Sequence, residues 1–541
     1  MRKFFSEDEL RDARLVWLLD LYFGGVHYYF STESRSIPSD DGDIFYDGTL
    51  SNVGVEGEME FGTPDFSMPS ADVTVTFKIN LAELIARGVD LGSASAELSL
   101  FRSDSGDDYD DRVVILQGPL DVPAYGAIGE PVSFTIEADF IRNQNQIPGP
   151  NAVVDDGINW SFSPEISQGA IYPIIFGAPG NQSFAGSPVY IVNDTGSGDR
   201  TGLIANHPCT AAQVTLIGVK ASDNSVFNKG AKTVTTDIDT SGEIYSYVTV
   251  PAADYEEGNT YWVRWDQGNG GLINPYTVSV TATGAKTVAP LTGAGDILRY
   301  LLGLSGAKVD DARCFAASHS LNAIHLDFYI GEPVDVMEFI KSELLPLLPC
   351  SLRSSGEGLY PVVWRYDATE EDVKANLTAD VDIYRSSMVE YQSSTVYNDI
   401  TINYRHDAQF NRLAKRVTVT GDITQEPTGF VYQNSYALAS ANRYGLKSLS
   451  IETELISSRA SAGRVVNWMS RAYSGQHRTI QYKARKKLAY IEIGDVISIT
   501  DPDLFLYTQI VIVQSIEWGD TELTFTFLLI PDIPRDSIPI G

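Results

Sequence analysis

Cysteine is scarce in this chain of 541 residues, which holds three, Cys209, Cys314 and Cys350. They are scattered and form no CxxC pair, so neither a disulfide framework nor a structural zinc site is expected, and each reads as a buried free thiol. Histidine is thin as well. The six residues, among them His207, His319, His325, His406 and His477, have no metal-ligand spacing. Sequence signatures of hydrolysis and nucleotide chemistry are missing: there is no HExxH, GxSxG or Walker A motif and no GxGxxG in a strand-to-helix context. No catalytic, cofactor-binding or metal-binding residue is therefore expected. Positive charge is short too. With 39 Lys and Arg against 71 Asp and Glu, the formal net charge is −32, which argues against a protein that grips nucleic acid by neutralising phosphates. Long apolar runs are also wanting. Asp20 and His27 interrupt the stretch from Leu15 to Phe30, which is too short to span a bilayer. The opening MRKFFSEDEL mixes acidic residues into the place where a signal peptide needs a basic start and an apolar core. Folding in the cytoplasm without an export signal is the expectation.

What the chain does have is carboxylate, aromatic and turn-forming residues. The loops Asp40 to Asp47 and Asp104 to Asp111 cluster acidic oxygens that could take Ca²⁺, but they lack EF-hand spacing and read as solvated hairpin loops. Pairs such as Asp107-Asp108 and Asp110-Asp111 carry no glycosidase signal where carboxylates abound. The 28 Tyr, 23 Phe, 45 Gly and 25 Pro, with few long helical patterns, favour many short strands joined by turns. At this length several domains are expected, with a mainly β, multidomain fold.

Taken in order, LVWLLDLYF and VHYYFST read as strands about a Gly24-Gly25 turn, and Val73, Val75, Phe77 and Ile79 alternate with polar residues. Leu81 to Arg87 is a short helix ended by Gly88, and Val113 to Leu116 and Val132 to Ile136 supply more strands in a first domain, 1–185. From 186 to 290, VYIVND, QVTLIGVK, KTVTTDI, YSYVTV, TYWVRWD and YTVSVTA recur at the spacing of an immunoglobulin-like sandwich. Its Trp262, Trp265 and Tyr276 are candidate glycan contacts, since flat rings stack on sugar faces. Trp262 and Trp265 are an odd number of residues apart and cannot share one side of a regular strand, so one of them is expected in the core. The region 291–380 is read as mixed α/β. GAGDILRYLLGLSG sets Ile297, Tyr300, Leu301 and Leu304 at helical spacing, EPVDVMEFIKSELLPLLPC is a second helix stopped by Pro346 and Pro349, and a hairpin follows around Gly356-Glu357-Gly358. The last domain, 381–541, contains strand Ile400, Ile402, Tyr404 and a helix near Arg459 to Tyr473, capped by Ser457 or Ser458. Its closing strands surround a Gly494-Asp495 turn, read as structural, and its Pro-rich end PDIPRDSIPIG is not expected in a central strand.

In this last domain, the strand GLKSLSIET, the helix with VVNWM and the phrase LAYIEIGDVISITDP resemble the final domain of phage tail hub proteins, the tail-tip or baseplate hub family. RVVILQGPL, GEPVSFTIE and YPIIFGAPG are similar to that family's first domain, and the two helices before the hairpin are similar to its middle domain. The resemblance implies two tail-tube-like β-barrels with one helix each at the two ends of the chain, and a homotrimer placing six barrels in a ring. It implies a structural, non-enzymatic virion protein at the tail tip, bound to a distal tail protein, a tape-measure protein and a central fibre or spike. Genomic DNA would pass without specific binding, and carboxylates along a channel would repel it; an acidic surface that serves solubility explains the charge equally. Some members of the family carry an iron-sulfur cluster, which three dispersed cysteines do not suit. Two other readings stay open: a glycan-binding adhesin working through the 186–290 insertion, and a tail-associated hydrolase.

Overall fold

In the computed structural model, the described residues are 5–10, 14–23, 25–58, 71–76, 81–89, 94–103, 107–120, 131–136, 145–149, 152–155, 160, 162–180, 186–194, 198–239, 242–265, 270–280, 286–355, 357–385, 390–391, 396–407, 410–421, 430–519 and 522–529. Gly24, Phe77, Ile79, Asp104, Gly356 and the Pro-rich end lie outside them.

The strand Leu15–Phe23 is apolar on both faces because both are covered. Trp17, Leu19 and Leu21 point into a core shared with the C-terminal strands, while Val16 and Leu18 alternate to the other side against Ile37, Tyr46 and Phe101. The strand sits inside a four-stranded antiparallel sheet in the order Val26–Ser31, Leu15–Phe23, Ser95–Arg102, Val113–Pro119. Asp20 is the one acidic interruption, and its buried carboxylate accepts from the Tyr46 and Tyr109 hydroxyls at 2.7 and 2.6 Å. Burial pushes its pKa up, with those two hydrogen bonds opposing the shift. The expected short helix is present as Leu81–Ala86.

At the other end, a curved sheet runs Ala375–Thr378, Val496–Asp501, Leu506–Trp518, Glu522–Leu529, Arg478–Arg485, Ile383–Arg385. The two ends are strand-rich, and they are fused. Val55–Glu58 pairs antiparallel with the second half of Leu506–Trp518, from Trp518↔Val55 to Ser515↔Glu58. Trp17, Leu98 and Phe134 then share one core with Tyr482, Phe525 and Phe527. Trp17 meets Trp518 edge to face at 5.6 Å.

A second core gathers the helices Ala294–Leu304 and Asp311–Leu321, the segment Val336–Leu347 and the hairpin Cys350–Ser355/Gly358–Val363. The helix Arg459–Tyr473 also belongs here. Its Ala462, Val465, Met469 and Ala472 pack with Ile400, Ile402, Val417 and Val419 of a mixed sheet in the order Phe430–Tyr432, Arg412–Thr420, Asp399–Asp407, Ser448–Glu452. The 381–541 segment thus contributes to both cores. The expected second helix of the middle region starts as an α-helix at Val336–Phe339, widens to a π turn at Ile340–Leu344 and ends as a 3₁₀ turn at Leu345–Leu347. Pro346 forces that ending by removing an amide donor.

The segment expected to form an immunoglobulin-like sandwich closes into a six-stranded barrel: Ser187–Asp194, Arg200–Ala205, Ile244–Val250, Val226–Ile238, Gln213–Val219, Thr260–Arg264 and back to Ser187–Asp194. Closure comes from two strands that change partner along their length. Ser187–Val189 pair with one neighbour and Tyr190–Asp194 with the other, and Val226–Thr233 and Val234–Ile238 do the same. Arg200–Ala205 supplies the sixth strand. YTVSVTA lies outside the barrel, in Ile273–Val280, paired with Lys286–Pro290. Gly218 is needed where the barrel is tight, since a Cβ there would sit 2.1 Å from the Phe227 ring.

Candidate functional site

Gly494 holds φ = 90°, a conformation that glycine adopts without a Cβ penalty. Its N–H donates to the Val513 carbonyl at 2.8 Å, and Val513 returns a hydrogen bond to the Asp495 carbonyl at 2.9 Å. The Asp495 carboxylate accepts from the Glu492 N–H at 2.7 Å and from Lys374 Nζ at 2.6 Å. Glu492 in turn accepts from Arg313 at 3.0 Å, and Arg313 also pairs with Asp310 at 3.3 Å and lies over the Tyr360 ring at 4.3 Å. Burial pushes the Glu492 carboxyl up while Arg313 and Lys374 pull it back. The Gly494-Asp495 turn therefore does more than reverse the chain: it latches the helical unit, through Asp311–Leu321, onto the C-terminal sheet. Gly494→Ala is expected to cost about 1–2 kcal/mol for the left-handed backbone. A denaturant midpoint equal to that of the parent would show that the turn relaxes at no cost.

The three aromatic candidates are not brought together. Trp265 is 0% exposed, and its Nε1–H donates to Ser187 Oγ at 2.9 Å. It is a core residue and is out of reach of a ligand, because its odd separation from Trp262 turns it inward. Tyr276 lies under the Arg299 guanidinium, 4.0 Å from the ring centre, and burial pushes its hydroxyl up to about 12. Trp262 alone lines a cleft. That cleft, about 440 Å³, runs between the barrel and the helical unit, with Pro188, Tyr190, Asn259 and Trp262 on one wall and Tyr329, Glu332 and Phe339 on the other. Burial raises the Tyr190 and Tyr329 hydroxyls, Tyr329 to about 12, with Glu332 adding to both. Tyr190, Tyr329 and Glu332 escaped the sequence reading because 139 positions separate the first two and no local pattern joins them.

A second, polar cleft of about 760 Å³ shares Tyr329, Val334 and Phe339 with the first and is lined by Asp327, Asn403, His406, Arg412 and Glu454. Asp327 accepts from the Ala178 N–H at 2.8 Å and from the Ser457 hydroxyl, and burial raises its pKa. His406 faces Glu454 at 3.4 Å and Asn411 at 3.1 Å. Among the described residues no group of three His, Cys, Asp or Glu side chains is arranged to hold a metal. The acidic segment after Arg102 is used locally: Asp107 takes both Nε and Nη2 of Arg102 at 2.6 Å, and Asp108 caps the turn Tyr109–Asp111. His207 is a structural tie. Its Nε2 accepts from the Ile175 N–H at 2.9 Å while Nδ1 faces the Pro208 carbonyl at 3.0 Å.

The solved structures to which this chain is similar include tail and virion proteins, at low identity. A tail protein from Neisseria meningitidis MC58 is 8% identical, with 96% of this chain and 99% of that one covered at a TM-score of 0.38. The 43 kDa tail protein of prophage MuSo2 from Shewanella oneidensis is 10% identical, with 94% and 96% covered at 0.36. A chain of the virion of a native gene transfer agent particle is 12% identical, with 72% and 91% covered at 0.39. No protein-family model matches the chain, and no curated protein does.

Proposed function

We propose that this protein is a structural hub of a phage tail tip or baseplate, a trimeric adaptor of the virion with no catalytic role. The observation that carries the reading is the fusion of the two strand-rich ends on one core, with Val55–Glu58 of the first end paired into the sheet of the last. A chain built this way carries two strand-rich ends on one core, so three copies carry six and can meet a sixfold tube through closed symmetry. The segments GLKSLSIET and LAYIEIGDVISITDP, which carry the family resemblance, supply the strand Ser448–Glu452 and the latching turn. In this role the protein caps the tail tube, contacts a distal tail protein and a tape-measure protein, and supports a central fibre or spike. It follows the domain plan 1–185, 186–290, 291–380 and 381–541. DNA passes a channel kept repulsive by the −32 charge. No helix among the described residues is long and apolar enough to cross a membrane.

The purified chain is expected to form a threefold ring with three times the 59.2 kDa chain mass, seen by light scattering and negative-stain class averages. A stable monomer or dimer with no affinity for tail components would overturn the reading.

A further inference from the structure

We propose that the cleft between the inserted barrel and the Tyr329–Phe339 segment is a binding site for a neutral carbohydrate, one or two pyranose rings of an oligosaccharide. Its volume, about 440 Å³, falls in the range of small-ligand sites. Three half-buried rings border it, Trp262 and Tyr190 from the barrel and Tyr329 from the opposite wall. Rings of this kind offer flat apolar faces to the C–H side of a sugar and keep a polar tip for its hydroxyls.

The polar groups separate into those already used and those still available. Asn259 is committed on both sides, accepting from the Ala221 N–H at 3.2 Å and donating to Glu256 at 3.1 Å. Ser167 accepts from the Ile191 N–H at 3.1 Å. The Tyr190 and Tyr329 hydroxyls, the Trp262 indole N–H and the Glu332 carboxylate make no hydrogen bond to protein among the described residues. Two phenols and an indole can donate, and an exposed carboxylate can accept from a pair of adjacent hydroxyls. With donors and an acceptor converging, the set matches a polyol.

The same lining argues against other ligands. No Lys or Arg borders the cleft, so a phosphate, sulfate or acidic sugar would meet Glu332 without a counter-charge. An extended peptide adding a strand would find only a short edge, because Ser187–Val189 and Tyr190–Asp194 each pair with a different neighbour and Thr260–Arg264 is held by Gln213–Val219 on one side and Ser187–Val189 on the other.

The test titrates the full-length chain with free glucose, galactose and N-acetylglucosamine and with disaccharides of each, followed by saturation-transfer NMR and tryptophan fluorescence. Saturable binding at about 0.1–1 mM, weak as expected for so few contacts, is the expected result. Trp262→Ala should weaken it at least ~10-fold and Glu332→Gln ~3–10-fold, the range of one or two lost contacts; Tyr276→Ala should leave it unchanged. Glu332 is exposed, so that variant reports on binding even if Trp262→Ala misfolds. Absence of saturable binding by the whole panel would overturn the proposal, as would binding that Glu332→Gln and Trp262→Ala both leave intact, or preference for acidic sugars or an apolar peptide. The inference stands apart from the hub reading: a ring that binds no sugar and a monomer that binds one are different results.

Discussion

Trp17→Ala is expected to destabilise the protein by about 3–5 kcal/mol, the range for emptying a large aromatic site in a packed core. Trp17 is 0% exposed, and its ring touches Trp518 from the opposite end of the chain. Its indole N–H has no hydrogen-bond partner among the described residues, so Trp17→Phe, which deletes that buried donor and keeps most of the ring, should cost roughly half as much. The pattern of loss matters more than its size. Because both ends line one core, hydrogen exchange should quicken in Leu15–Phe23 and in Glu522–Leu529 together, while the barrel from Ser187 to Arg264 keeps its protection. Quickening confined to the N-terminal strands would mean that the ends are energetically separate.

The second large effect is on acid stability. His207 is 7% exposed, and burial lowers its pKa to about 4, against an ordinary value of 6.5. The unfolded chain therefore takes up a proton before the folded one does. The stability associated with a neutral His207 is complete above pH 6.5 and declines as pH falls toward 4, by about 3 kcal/mol in total. Asp20, Asp327 and Glu492 have raised pKa values and act in the opposite direction, so the measurement must be a comparison. His207→Gln keeps an acceptor for the Ile175 N–H and cannot titrate. Urea unfolding of the parent and of this variant at pH 7 and pH 4 should show the parent losing about 3 kcal/mol more. Parallel pH dependence in the two proteins would remove His207 from the account.

Local pattern carried much of the fold. The helix Arg459–Tyr473 was legible because Ala462, Val465, Met469 and Ala472 recur on one face and Ser458 caps it, its side chain accepting from the Ser461 N–H. The same pattern could not say which core that face would enter. Asp311–Leu321 was missed because, apart from Leu321 at its end, it buries small side chains, Cys314, Ala317 and Ser318, and shows little amphipathic contrast. Ser435–Tyr444 was missed for the same reason, with Ala437 and Ser440 its buried residues. The inserted barrel was legible as strands but not as a closed ring, since closure depends on two strands changing partner midway. At the candidate site, Trp262 stood out as an aromatic on an alternating strand. Glu332 and Tyr329 did not, because a wall contributed by another part of the chain leaves no local signature.

The pairing of Val55–Glu58 with Ser515–Trp518 also sets an order of events during synthesis. The first of these strands leaves the ribosome hundreds of residues before its partner. The barrel, whose strands all fall between Ser187 and Arg264, can close from contacts available early, whereas the end core must wait for a contact of very long sequence separation. Until then Trp17 and its apolar neighbours are covered only by the N-terminal strands, Leu98 and Leu100 among them. The nascent chain is therefore expected to carry a half-built core until Glu522–Leu529 are made, and a chain truncated before them to leave that core open.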